Sequence, residues 1–271
     1  MRPAIAVVLL LMVTACSREN EQNATPQASA GSGEAATAKA TLSATAKAAA
    51  NANEVEVVED NALFHFAFAY PVAAAAIPAL KAELDARRDD ARSELAGWAK
   101  VGRDEVEHFM RYDRSVHWSV VADLPGWLSL LERRYEFTGG AHGNTYSGPM
   151  LWDKNANRAR TVPELFASRA ALSAAIRAPY CDALDNQRAE KRGEAIKRDN
   201  SDPHYACPDP LELTLILGSA DMQHFTRIGL IADPYVAGPY VEGGYEVTLP
   251  VTPALLNAVK PEYRSAFALG R

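Results

Sequence analysis

One histidine lies among three glycines in the stretch Gly139-Gly140-Ala141-His142-Gly143-Asn144. Imidazole titrates near neutral pH, so a histidine on a loop can serve as a general base, a ligand or a binding contact. The glycines permit positive φ and close approach of other groups. No partner for a catalytic pair stands nearby in the sequence, so a structural role and a binding role both stay open. Glu105 and His108 form one Glu-x-x-His pair on an expected helix. A di-iron centre needs two such pairs and two further glutamates, so this copy reads as surface decoration. Asp153, Asn155, Asn157 and Glu164 fall at positions 1, 3, 5 and 12 of an EF-hand-like loop. Arg158 stands where that loop needs a glycine, and Arg158 and Arg160 would repel a cation. A hairpin turn is expected there instead. Gly-x-Ser-x-Gly, His-Glu-x-x-His and Gly-rich phosphate loops are all missing from the sequence. No metal, no cofactor and no catalytic residue is therefore assigned. Hydrolysis through the His142 loop is the enzymatic alternative.

These residues need elements to position them. Val55 and Val57, then Phe64, Phe66, Phe68 and Tyr70, alternate with smaller or polar residues. Period two predicts two strands with one buried face. Ile77, Leu80, Leu84, Ala91, Leu95 and Trp98 recur at helical spacing, which predicts one long amphipathic helix. Alternation returns at Val116, Trp118 and Val120 and again from Leu128 to Phe137, with Pro125-Gly126 as the turn. This order reads as a meander with a helix on one face. Further on, Met150–Trp152 reads as a strand. Thr161 and Glu164 form a capping box, and a helix covers about 169–190. Strands follow at 225–232 and 245–249, and Thr252 caps a last helix before Pro261. The fold expected is α+β, in two small subdomains of residues 52–145 and 146–265. Each would be an antiparallel sheet with one or two packed helices.

The 271-residue chain carries a formal charge of −6 and 48% hydrophobic residues, ordinary for a folded protein. An acidic balance argues against nucleic-acid binding, which needs a basic face. Residues 52–145 hold 16 acidic and 10 basic side chains, so this half suits a basic partner. Arg2 followed by the apolar stretch Ala4–Ala15 reads as a signal peptide, too short to span a bilayer. Val13-Thr14-Ala15-Cys16 resembles the bacterial lipobox, which implies cleavage after residue 15, lipidation of Cys16 and membrane attachment through it. Ser17 next to it, by the same resemblance, implies the periplasmic face of the outer membrane. Residues 16–51 lack aromatics and are rich in Ala, Thr, Ser and Asn, so they read as a disordered tether. With Cys16 so used, Cys181 and Cys207 remain. In an oxidising compartment they are most simply a disulfide clamping the polar segment between them.

The segments YEFTGGAHGNTYSGPMLWD, Thr161–Phe166 and DPYVAGPYVEGGYEVTLP together resemble a paired extracytoplasmic module. That module occurs in RsiV-type lysozyme-sensing anti-sigma factors and PdaC-type peptidoglycan deacetylases. The resemblance covers about residues 55–255, with Glu164 where the family has Asp. It implies recognition of a lysozyme-like protein or of peptidoglycan. Anti-sigma and deacetylase activities belong to other parts of those proteins and do not carry over. Within these segments the aromatic and glycine-flanked positions His142, Asn144, Tyr146, Tyr235 and Tyr240 are the expected binding residues. The overall expectation is a non-catalytic binding or sensing lipoprotein of the cell envelope. A structural envelope protein without a ligand is a further alternative.

Overall fold

The computed structural model describes residues 53–270. The expected signal peptide, the expected lipidation site Cys16 and the expected tether lie outside the described residues. Among the described residues nine strands form two sheets. The first sheet runs in the order β1 (Glu54–Asp60), β2 (Phe64–Pro71), β3 (Tyr112–Leu124), β4 (Trp127–Phe137), β5 (Asn144–Asp153) and β6 (Arg158–Arg160). The second is β7 (Thr214–Gly218), β8 (Arg227–Ala232) and β9 (Tyr245–Pro250), all antiparallel. The fold is α+β, as the sequence predicts. The first sheet is mixed rather than a meander, because β2 and β3 run parallel. The long helix α1 (Pro78–Glu105) connects them, and a crossover through a helix returns the chain in the same direction. The expected boundary between residues 145 and 146 falls inside β5, which pairs with β4 along its length.

Two cores result, one on each side of the first sheet. On one face, Phe64, Phe66, Phe68 and Tyr70 of β2 meet Val116, Trp118, Leu128, Leu130, Met150 and Trp152. The α1 stripe of Leu80, Leu84, Leu95 and Ala99 covers them. Pro78 opens α1 at its first position, where no backbone donor is needed. Trp98, expected in that stripe, is 42% exposed. It instead lies under the Arg114 guanidinium at 4.8 Å. The helix ends at Glu105, so Glu105 and His108 do not share it.

The other face of the first sheet contributes Ala122, Leu124, Trp127 and Leu151 to the second core. The second sheet, α2 (Arg169–Arg192) and α3 (Pro253–Ala258) complete it. Ser168 caps α2 by accepting the Ala171 N–H, and Gly193 ends it at φ 71°. Leu172, Ile176, Tyr180, Leu184 and Arg188 make its buried stripe. Cys181 on α2 bridges to Cys207 with Cα atoms 5.5 Å apart. Thr161 and Glu164 form the expected capping box. The Glu164 carboxylate accepts the Thr161 N–H, which holds it below the usual range. Strand β7 was not legible in the sequence: five residues are too short to show a period.

Candidate functional site

The β4–β5 loop brings His142 to the connection between β8 and β9. Gly139 and Gly140 take φ of 98° and 90°, which turns the hairpin. Gly143 is buried, and a Cβ there would meet the Tyr135 ring at 2.5 Å, so a side chain at this position would displace that ring. Across from this loop, Asp233 leads into Tyr235 and Tyr240. The His142 and Tyr240 rings stack with centroids 3.9 Å apart and 17° between planes. The Tyr240 hydroxyl donates to the Gly143 carbonyl at 2.8 Å. Tyr235 completes the group, 5.4 Å from Tyr240 and with its hydroxyl 3.4 Å from His142 Nε2. His142 Nδ1 meets the Gly143 carbonyl at 3.0 Å. The ring nitrogens thus meet a phenol and a peptide carbonyl.

This group faces solvent. Tyr235 is 56% exposed, and Val236 and Val241 beside it are exposed as well. Tyr235 also holds φ of 74°, a left-handed conformation that costs a residue with a side chain about 1–3 kcal/mol. Burial of the Tyr135 phenol beneath the loop pushes its pKa up, with Asp113 and Tyr240 adding to the rise.

Of the five expected binding residues, three come together: His142, Tyr235 and Tyr240. The other two lie on β5 and face the other way. Tyr146 pairs with Arg134 and Asn144 with Glu136, on the α1 side of the sheet. Tyr146 stacks on the Arg134 guanidinium at 4.9 Å, and Asn144 Oδ1 is buried without a hydrogen-bond partner. The EF-hand-like residues form a hairpin turn. Asp153 accepts the N–H groups of Asn155 and Ala156 and pairs with Arg160, while Asn157 takes φ of 51°. Among the described residues no group of three or more His, Cys, Asp or Glu could hold a metal ion. Among them, too, no helix is long and apolar enough to cross a membrane.

A cleft elsewhere on the first sheet has no counterpart among the residues expected from the sequence. It opens between α1 and the sheet and is lined by Glu132 and Arg134. The signal for it is a break in pattern: Glu132, Arg134 and Glu136 continue the inward phase set by Leu128 and Leu130. Charged residues in a core-facing register need a reason.

Residues 57–145, which hold most of β1 and all of β2, α1, β3 and β4, match the family model described as "Deacetylase PdaC". A DUF3298 family protein from Pseudomonas aeruginosa PAO1 has the same fold, with a TM-score of 0.52 at 17% identity. That match covers 80% of this chain and 95% of the other. A DUF3298 member from Bacteroides fragilis gives a TM-score of 0.46 at 16% identity, covering 78% and 94%. No curated protein matches the chain. Residues 57–145 are therefore similar to a PdaC domain, and the chain shares the fold of the Pseudomonas DUF3298 family protein.

Proposed function

We propose that this chain, with its PdaC-like domain, is a non-catalytic recognition module of the bacterial cell envelope. It is anchored through lipidated Cys16 on the periplasmic side of the outer membrane. His142, Tyr235 and Tyr240 form its contact surface, and the partner is a basic lysozyme-like protein. The observation that carries this reading is the solvent-facing aromatic group, stacked at 3.9 Å and held on a strained backbone. An exposed tyrosine, Tyr235, held beside the half-buried Tyr240 supplies contact area at little entropic cost, and tyrosines are enriched among residues that dominate protein interfaces. The acidic balance of residues 52–145 favours a basic partner and speeds encounter with it. The resemblance to the lysozyme-sensing modules agrees with both.

The test is titration of the immobilised full chain with a basic lysozyme, beside sedimentation with purified peptidoglycan. The expected result is lysozyme binding at about micromolar affinity or better. Tyr235→Ala and His142→Ala should each weaken it about tenfold or more. Absence of lysozyme binding overturns the proposal. Sedimentation with peptidoglycan alone moves the partner to the wall polymer. Turnover of a wall fragment that His142→Ala abolishes would replace recognition with hydrolysis.

A further inference from the structure

On the face of the first sheet opposite His142, α1 and strands β2 to β4 enclose a cleft of about 390 Å³. That is the size of a small-molecule pocket. Three guanidinium groups, from Arg87, Arg114 and Arg134, and three carboxylates, from Asp90, Glu94 and Glu132, line it. The charges cancel, but the groups do not all satisfy one another. Glu132 makes no side-chain hydrogen bond and no ion pair among the described residues. Burial pushes its carboxyl above the usual glutamate range, against the pull of Arg134, Arg87 and Arg114.

The donors are equally incomplete. The indole N–H of Trp118 and the Nε groups of Arg114 and Arg134 are buried with no acceptor. Trp118 is 1% exposed and Arg114 2%. Arg114 is otherwise held by the Ala91 carbonyl, Glu94 and Glu136. Arg134 has no ion pair among the described residues; Tyr146 holds its guanidinium by stacking. Buried polar groups left without partners are costly, and in a native structure each asks for an explanation. A cleft that keeps an unpaired carboxylate beside unpaired donors is arranged for a ligand that supplies both complements.

We propose that this cleft binds a neutral saccharide unit, whose hydroxyls donate to Glu132 and accept from Arg134 and Trp118. Each hydroxyl is at once donor and acceptor, which meets both deficits with one functional group. An anion would face three carboxylates and a cation three guanidinium groups, so a balanced lining favours an uncharged ligand. Phe68 and Val116 supply apolar wall for the C–H surface of a sugar ring. The site lies on the other side of the sheet from the His142 group and does not depend on it.

Ligand-observed NMR together with proton–nitrogen correlation spectra of the purified full chain tests this, with cellobiose, maltose and chitobiose as probes and glucuronate and glucosamine as charged controls. At least one neutral disaccharide should bind and shift the Trp118 indole resonance, assigned with Trp118→Phe. Arg134→Ala and Glu132→Gln should each weaken binding about fivefold or more, the loss expected when a charge-assisted hydrogen bond goes. Glu132→Gln is isosteric and keeps the test valid if Arg134→Ala fails to fold. His142→Ala should leave sugar binding unchanged, which separates this site from the protein-recognition reading. Binding of no sugar, binding of the charged sugars only, binding unaltered by both cleft variants, or loss of binding in His142→Ala would each overturn the proposal.

Discussion

Ser147 and Asp233 join the two sheets. The Asp233 carboxylate accepts the Ser147 N–H at 2.9 Å and the Ser147 hydroxyl at 2.7 Å. Arg133 donates to the same hydroxyl, and Thr214 donates to the Ser147 carbonyl. Asp233 stands two residues before Tyr235, so this junction also aims the aromatic group. Removing the carboxylate in Asp233→Ala strands a half-buried N–H and hydroxyl. It should cost about 2 kcal/mol in urea denaturation and weaken partner binding along with it.

Tyr235 separates stability from recognition. Its left-handed backbone is relieved in Tyr235→Gly, while glycine also adds freedom to the unfolded chain. The two effects oppose each other, so the change in stability should stay within about 1 kcal/mol. Partner binding should nevertheless fall as far as in Tyr235→Ala. A large loss of stability would mean that the ring is a structural support.

The segment before β7 is held twice. The Cys181–Cys207 bridge closes a 26-residue separation, which the chain-entropy model values at about 3.5 kcal/mol. Thermal unfolding with and without reductant reads this directly.

Arg188 is the second hold, and it is fully buried. It donates to the carbonyls of Tyr205, Ala206 and Ala237 and pairs with Asp185. Arg188→Met leaves the buried Ala237 carbonyl and the half-buried Tyr205 and Ala206 carbonyls without this donor and should cost about 3 kcal/mol. Arg188→Lys should recover only part, because an ammonium cannot span the same set of acceptors. The arginine and the disulfide restrain the same stretch, so a double-mutant cycle should show non-additivity.

Glu132 gives a pH signature. Its folded pKa is raised, so below the ordinary glutamate range both folded and unfolded states hold the proton and no stability is lost. As pH rises through the unfolded value towards the folded one, the unfolded state releases its proton first and wild type loses stability. Glu132→Gln should therefore match wild type at low pH and melt higher at neutral pH. A lower melting temperature at neutral pH would show that the carboxylate is well satisfied.

The sequence was most readable where one period ran long. The Phe64–Tyr70 alternation and the Leu80–Leu95 stripe specify β2 and α1 because each buries a single face. The direction of β3 was not readable, since strand polarity depends on the path of α1 and not on any residue within β3. For the site, the Gly-flanked His142 and the Pro-Tyr segment pointed at residues that do meet. Tyr146 and Asn144 did not join them, because a side chain's face follows its register, and one step along β5 reverses it. The charges at 132, 134 and 136 carried a signal in their phase alone.

The parallel seam between β2 and β3 has a kinetic consequence. Two adjoining segments can form the β1–β2 ribbon, but the centre of the larger sheet must wait until a 28-residue helix has been laid down and its loop closed. During that interval the aromatic row of β2 lacks its cover. The time a newly made chain spends exposed to self-association is then set by the docking of α1, and changes to that helix's apolar stripe should slow folding more than they hasten unfolding.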